Sequence, residues 1–385
     1  MRSAERRFAL FILAAFLAVD ATILATAVAT WSAIVPDFFG FWSTARYAAT
    51  HDAAMVYDPV AVAAYQHSLL ARFTETFVPA YSPAFLLTMQ PFAALPYTAA
   101  HLLWVGATFL PFLAASIALL RQPGWVVALM LTPVVTLNVI YGQTGFLTSA
   151  AMIGALLLMQ ARPWAAGFCL AILAFKPQLG LLMPLVLLAR RDVRTIAATF
   201  VWLFAFGLMS SLVLGWTIWW HWVDAMLHLG QVAEAARDQL AFIMASVASG
   251  AFLMGAPALV AHAAQLAAML SVGTIVWIVW RRPGGNRDLP IALTLVGSFL
   301  VTPYAFNYDL PVAMCAALLF VQTCQRQGDA LSTMELLAVV FVLVAPLIIF
   351  LAAPRFAAAP LSLLALFAVM ARRGFRAAHP AAVLS

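Results

Sequence analysis

Apolar positions in this chain run on for about 20 residues at a time, with little alternation between apolar and polar. Strands of an outer-membrane barrel would alternate over about ten residues, so these unbroken runs predict helices. They fall near residues 8–33, 98–120, 124–140, 144–160, 196–215, 259–280, 289–302, 308–323, 333–352 and 356–371. Between Pro163 and Arg191 two further apolar halves, each short for a span, flank Lys176-Pro177. They predict a hairpin of two short helices with Lys176 at its outer tip. A bilayer core offers no water to backbone groups, so spanning segments must satisfy their own hydrogen bonds. The pattern therefore predicts an all-α polytopic membrane protein, a bundle of about twelve transmembrane helices.

Two stretches break the pattern. Residues 34–97 are too polar for lipid and form a large first extracytoplasmic loop, with a short amphipathic piece around Val60–Arg72 that suits the interface. Residues 216–258 form a second outer region that opens with a Trp-rich belt. Within it, the small, Gly-broken residues 241–256 read as a re-entrant or outer-surface segment. Neither an internal repeat nor a soluble domain boundary is visible, so residues 1–385 read as one membrane-embedded unit.

Composition agrees with the pattern: 65% of residues are hydrophobic and 9% charged, with mean hydropathy +1.00. Soluble domains carry roughly 45–50% apolar and about 25% charged residues. The net charge of +6 is an orientation signal. Of the 20 Lys and Arg residues, all but Arg46, Arg72, Lys176, Arg237 and Arg355 fall on one side of this topology. By the positive-inside rule that side is cytoplasmic, with both termini there. This distribution argues against nucleic acid as a partner. The outer side instead carries Asp37, Asp52, Asp58, Glu75, Asp224, Glu234, Asp238 and Asp309. The basic, apolar N-terminus reads as a retained first helix and not a cleaved signal. Cys169, Cys315 and Cys324 all lie in apolar segments and read as small core residues.

Ionisable groups at membrane depth are costly, which makes them functional candidates. Asp37, Arg46, Tyr57, Tyr81, Gln143, Lys176, His221 and Tyr304 to Asp309 all map to outer helix ends. Asp37, between Pro36 and Phe38-Phe39 with Trp42 beyond, reads as a general base with a raised pKa. It reads equally as a helix cap or a partner of Arg46. Lys176 stands where solvation is poor and calls for an anion such as phosphate, unless it snorkels to lipid phosphates. Arg46 either shares that role or pairs with a loop carboxylate. Gln143, beside Gly142, offers an amide suited to sugar hydroxyls. Asn307 and Tyr308 are candidates for phosphate or sugar contact, and Tyr57, Tyr81, Tyr304, Asp309 and His221 for sugar or acceptor contact. Asp309 reads as well as a cap of the helix that follows. No histidine pair among His51, His67, His221 and His228 has metal-ligand spacing, so neither a metal nor another cofactor is expected. Asp20, inside the first apolar run, is expected to pair with a polar group in the bundle.

An Asp after the first membrane helix, then Tyr57-Asp58-Pro59 and Tyr81-Ser82-Pro83, resembles the polytopic glycosyltransferases of family 87. The likeness continues through Gly142-Gln143, the Gly167 to Lys176-Pro177 hairpin with Arg190-Arg191, Thr302-Pro303-Tyr304 and Tyr308-Asp309-Leu310. It implies a GT-C-type bundle in a bacterial inner (plasma) membrane, with the active site facing the exterior. It further implies transfer of mannose or another hexose from a polyprenyl-phosphate-sugar donor to a lipid or glycan acceptor, amid membrane lipids. By resemblance, Asp37 would deprotonate the acceptor and Lys176, with Asn307 or Tyr308, would stabilise the departing phosphate. Some mannosyltransferase members carry a histidine pair where this chain has Asn307-Tyr308. The rival reading is a polytopic transporter or lipid-carrier flippase. Such proteins often show related halves around a midplane site, and here no repeat is visible and the polar cluster lies at one surface.

Overall fold

Proline marks where many helices begin. Pro59, Pro83, Pro123, Pro133, Pro163 and Pro311 each open a helix in its first turn, where the missing N–H has no intrahelical partner to lose. The structure, a computed structural model, describes residues 3–29, 36–71, 77, 80–235, 241–282, 286–352 and 356–376. Arg2, Arg72, Glu75, Arg237, Asp238 and Arg355 lie outside the described residues, as does the start of the first outer stretch.

Among the described residues the fold is all-helical. In order come α1 (Ser3–Ala29), α2 (Phe38–Thr50), α3 (Pro59–Leu69), α4 (Pro83–Ala93), α5 (Tyr97–Leu120), α6 (Pro123–Met130), α7 (Pro133–Tyr141), α8 (Gly145–Leu158) and α9 (Pro163–Leu173). There follow α10 (Leu182–Arg190), α11 (Val193–Leu214), α12 (Ile218–Ala235), α13 (Val247–Leu253), α14 (Ala258–Arg281), α15 (Asp288–Val301), α16 (Pro311–Arg326), α17 (Thr333–Ala352) and α18 (Ala358–Arg376). By length and composition α5, α11, α14 and α18 can each cross a membrane. The pair α6–α7 makes a fifth candidate if it is one span. The run expected as one helix over 124–140 is bent by 56° there, because Pro133 cannot continue the backbone ladder of α6.

Two cores hold the fold. In the larger, residues 291–301 of α15 and 311–324 of α16 are buried without a break, with α5, α8, α10 and α18 packed around them. Their apolar character reflects a position at the centre of the bundle. Cys315 and Cys324 belong to this core, as expected of them, and Cys169 lies at its edge. The second core is aromatic and underlies the first outer stretch. That stretch is no open loop: α2, α3, α4 and the 3-10 turn Ala53–Tyr57 bury Phe38, Trp42, Tyr47 and Phe85 against Trp104 and Phe175. Each such ring contributes roughly 1.5–3 kcal/mol of apolar burial. Helix α3, expected to lie as an amphipathic piece at the interface, is pinned by the fully buried Gln66. Its amide bridges Ser43 Oγ (3.1 Å), the Phe77 carbonyl (3.1 Å) and the Phe77 N–H (3.0 Å).

Several of the arginines expected on one side are joined through shared polar partners. Arg121 pairs with Asp288, and Arg326 lies 3.9 Å from the same carboxylate. Gln160 accepts from Arg190 and Arg287, while Arg373 binds Glu335 and Asp329. The Lys176 connection, Gln143 and the Tyr304 to Asp309 segment come together elsewhere, and they form the site.

Candidate functional site at the Asp37 cavity

Asp37 stands at the N-terminal end of α2, yet its carboxylate makes no capping bond there. It accepts instead from the Gln143 amide Nε2–H. The alternative partner, Arg46, turns away: its guanidinium donates to the Ala93 carbonyl (3.2 Å) and lies 5.3 Å over the Trp42 ring. Burial drives the Asp37 pKa above the ordinary carboxylate value, partly offset by the Gln143 hydrogen bond and the positive charge of Lys176. A half-buried carboxyl tuned in this direction suits proton abstraction from a hydroxyl.

Gln143 is aimed by a tight turn between α7 and α8. Gly142 takes a left-handed conformation (φ 60°) that costs any residue with a Cβ. A Cβ there would also fall 2.7 Å from Phe38 Cβ and 3.0 Å from His101 Nε2. Trp104 Nε1–H donates to the Gly142 carbonyl at 2.8 Å, and His101 Nε2, carrying its proton on that nitrogen, donates to the Val139 carbonyl at 3.0 Å. One turn earlier, buried Asn138 donates to the Tyr308 carbonyl at 2.8 Å, tying α7 to the 3-10 turn Asn307–Asp309. Gly145 lets these backbones meet, for a Cβ there would collide with that same carbonyl.

Lys176 lies between α9 and the 3-10 turn Pro177–Gly180, and its side chain is 5% exposed. It is not a lone cation. Its ammonium donates to both oxygens of the buried Asp309, at 2.8 and 3.2 Å. It also lies 4.6 Å over the Tyr308 ring and 5.6 Å over the Tyr81 ring. The rings are themselves fixed: Tyr308 stacks on Phe306 and Tyr81 on Phe85. Tyr81 Oη lies 3.2 Å from Thr144 Oγ1, and Tyr57 Oη–H donates to the Tyr81 carbonyl at 2.8 Å. Burial raises the pKa of Tyr57 and Tyr81, keeping them protonated.

A cavity of about 250 Å³ is walled by Asp37, Gln143, Tyr57, Tyr81, Phe306 and Tyr308, with Ile243 from the second outer region also lining it. Lys176 and Asp309 lie outside the lining, the lysine ammonium resting against the Tyr81 and Tyr308 rings of the wall. The Met244–Phe306 bridge ties the expected re-entrant segment 241–256 to this wall, and α13 within it is buried against α14 and α18. Aromatic surroundings were expected for Asp37 from Phe38, Phe39 and Trp42. The cavity wall instead supplies Phe41, Phe85 and Phe306, while those three residues pack into the second core.

The structure does not bring every candidate here. His221 is exposed and bonds the Thr217 carbonyl just ahead of its own helix, Tyr304 is 41% exposed, and Arg46 lies outside the lining. Asn307 faces the Phe242 carbonyl at 3.4 Å and also lies outside it. Asp309, expected either to touch sugar or to cap α16, is the counter-ion of Lys176. Asp20 pairs with a polar group of the bundle as expected, its carboxylate accepting a hydrogen bond from the Thr136 side chain, with its other oxygen buried and unpartnered. Thr44, Thr144, Phe41 and Phe306 were missed, as was the bracing role of Asn138, Trp104 and His101. An asparagine four residues ahead of a Gly-Gln pair, in an otherwise apolar run, was the available signal for Asn138.

Residues 77–303 match the family model for glycosyltransferase family 87, well over half of the chain. The chain belongs to that family. No curated protein and no solved structure matches it. Family 87 membership makes this helical membrane protein a glycosyltransferase, as the sequence resemblance implied. The matched span contains Tyr81, Gln143 and Lys176. Asp37 precedes it and the Tyr304 to Asp309 segment follows it, so the cavity is completed from outside the matched residues.

Proposed function

We propose that the protein transfers a hexose from a polyprenyl-phosphate-linked donor to a lipid or glycan acceptor by a single inverting displacement. The observation that carries this reading is a half-buried carboxylate on the wall of a cavity whose Tyr81 and Tyr308 rings lie against a buried lysine. Asp37 accepts the proton of the acceptor hydroxyl as that oxygen attacks the anomeric carbon. The bond from that carbon to the phosphate oxygen breaks, and its electron pair leaves on the phosphate. A fixed cation in a low-dielectric pocket stabilises such a leaving group, and Lys176 is that cation. The logic is that of inverting glycoside chemistry with an alcohol in place of water.

Aromatic walls suit the apolar face of a hexose, and Gln143 and the three tyrosine hydroxyls suit its hydroxyl groups. The distribution of Lys and Arg supports a topology of about twelve spans with cytoplasmic termini and the cavity on the outer side. The donor class is tested with the purified full-length protein in lipid, offered radiolabelled sugars on polyprenyl phosphate or on nucleoside diphosphate. Transfer from the lipid-linked donors alone supports the reading. Transfer from the nucleotide donors alone refutes it.

A further inference from the structure

The turns that follow α8 and α10 meet through Asp192. Gln160 and Arg191 each take a left-handed conformation there (φ 69° and 53°), although neither is glycine. The Asp192 carboxylate accepts from the Gln160 N–H at 2.9 Å, and from the Thr195 N–H and hydroxyl at 3.2 and 2.7 Å. Asp192 is buried in this network.

The exposed Gln160 side chain collects two cations. Its carbonyl oxygen accepts from Arg287 at 2.9 Å and, more loosely, from Arg190 at 3.4 Å. Two guanidiniums therefore converge on one neutral oxygen. Elsewhere Arg121 and Arg326 share Asp288, and Arg373 holds Glu335 and Asp329. Among the described residues neither Arg190 nor Arg287 has a carboxylate within ion-pair distance. The Arg190 fork is also half used. Its Nη2–H meets Gln160, whereas its Nε–H, on the same edge of the guanidinium, is buried without a partner. One amide oxygen cannot serve both hydrogens in good geometry. A phosphate, with two anionic oxygens to present, can.

An apolar helix long enough to cross a membrane starts beside this cluster. Its first residue, Val193, is 69% exposed. Trp164, 60% exposed in the first turn of α9, accepts at its carbonyl from the Trp202 Nε1–H of that helix at 3.0 Å. An exposed tryptophan at the end of a span suits the headgroup level of a bilayer. Arg162, Arg191 and Arg194 are exposed on the same two turns and add positive charge.

We propose that Arg190, Arg287 and Gln160 form a binding site for the phosphate of an anionic glycerophospholipid such as phosphatidylglycerol. The phosphate takes both hydrogens of the Arg190 fork together with the Arg287 guanidinium, and the Gln160 side chain swings aside. A zwitterionic lipid is disfavoured, because Asp192 is already engaged and cannot serve its ammonium. A lipid held this way ties the ends of α8, α10 and α15 together. Nothing in this site depends on the sugar, the donor or Asp37.

The test titrates lipids into the full chain in detergent and counts bound molecules by native mass spectrometry. Dioleoyl phosphatidylglycerol is expected to bind more tightly than dioleoyl phosphatidylethanolamine and to resist displacement by millimolar inorganic phosphate. Gln160→Glu puts a carboxylate between the two guanidiniums. It is expected to weaken phosphatidylglycerol binding about tenfold without lowering the lipid-free Tm. Arg287→Gln is expected to weaken binding similarly, whereas Arg281→Gln, the same charge loss at another helix end, leaves it unchanged. Equal affinities in Gln160→Glu, Arg287→Gln and Arg281→Gln overturn the site. Equal binding of the two lipids overturns its selectivity for anionic lipid, and displacement by inorganic phosphate overturns the lipid as its occupant. In the wild type, phosphatidylglycerol is expected to slow hydrogen exchange in peptides covering 158–164, 188–195 and 286–289. Slowing confined to other peptides overturns the assignment.

Discussion

Lys176 and Asp309, separated by 133 residues, are joined by a two-pronged ion pair that is almost fully buried. The pair bridges the α9–α10 connection and the turn ahead of α16, so one side of the cavity depends on a contact between distant parts of the chain. On the proposed mechanism, a donor phosphate at Lys176 would meet a lysine already neutralised and would compete with Asp309 for it.

Removing either partner strands a buried charge, which typically costs about 3–5 kcal/mol. Lys176→Met and Asp309→Leu are each expected to lower thermal stability sharply. The double variant is expected to recover much of the loss, because no charge is left unpaired. Thermal unfolding of the four proteins in one detergent checks this. Additive losses would mean that the pair is not coupled in the folded protein.

Gln143 acts on Asp37 through a hydrogen bond that favours the charged carboxylate. Gln143→Leu removes that bond and leaves burial unopposed, so the Asp37 pKa rises further. The acid limb of the kcat/KM profile, which reports loss of the ionised base, is expected to move to higher pH. In the wild type that limb is itself expected above the ordinary carboxylate value of about 4, because burial raises the Asp37 pKa. Measuring both profiles with one donor decides the point, and an unshifted limb removes Gln143 from the account.

Gly142 and Gly145 are required for geometry. Gly142→Ala places a Cβ in a left-handed conformation against Phe38 and His101, and is expected to cost about 1–3 kcal/mol. Gly145→Ala forces apart α8 and the Tyr308 carbonyl, so it should also displace the ring over Lys176. Denaturation midpoints together with donor KM check both, with the larger KM change expected for Gly145→Ala.

The raised pKa of Asp37 has a consequence for stability. Folding disfavours its ionised form, so its contribution to stability is most favourable below the unfolded-state pKa and declines as pH rises through the folded value. At neutral pH, Asp37→Asn is therefore expected to melt no lower than wild type, since an amide can still accept from Gln143. A large drop in Tm at pH 7 would contradict this.

The sequence made the membrane class legible through its unbroken apolar runs. Gly142-Gln143 stood out because a glycine at a helix exit marks a turn and an amide beside it is exposed to use. Tyr57-Asp58-Pro59 was half legible. Tyr57 reaches the cavity, whereas Asp58 caps α3 by accepting from the Val60 and Ala61 N–H groups, with Pro59 in the first turn. The partner of Lys176 was beyond reach, because no local pattern links positions 133 residues apart. Hydropathy also could not separate helices buried in protein from helices facing lipid, which is why α15 and α16 read simply as spans. Arg46, Tyr304 and His221 shared a level with the site in sequence, yet their contacts are made outside its lining.

The most direct measurement is sugar transfer from a polyprenyl-phosphate donor by wild type and by Asp37→Asn, both purified in lipid and matched for Tm. Removal of a general base is expected to cost about 10²-fold or more in kcat, with donor binding retained. Undiminished transfer by a folded Asp37→Asn would contradict the assignment of Asp37 as the base.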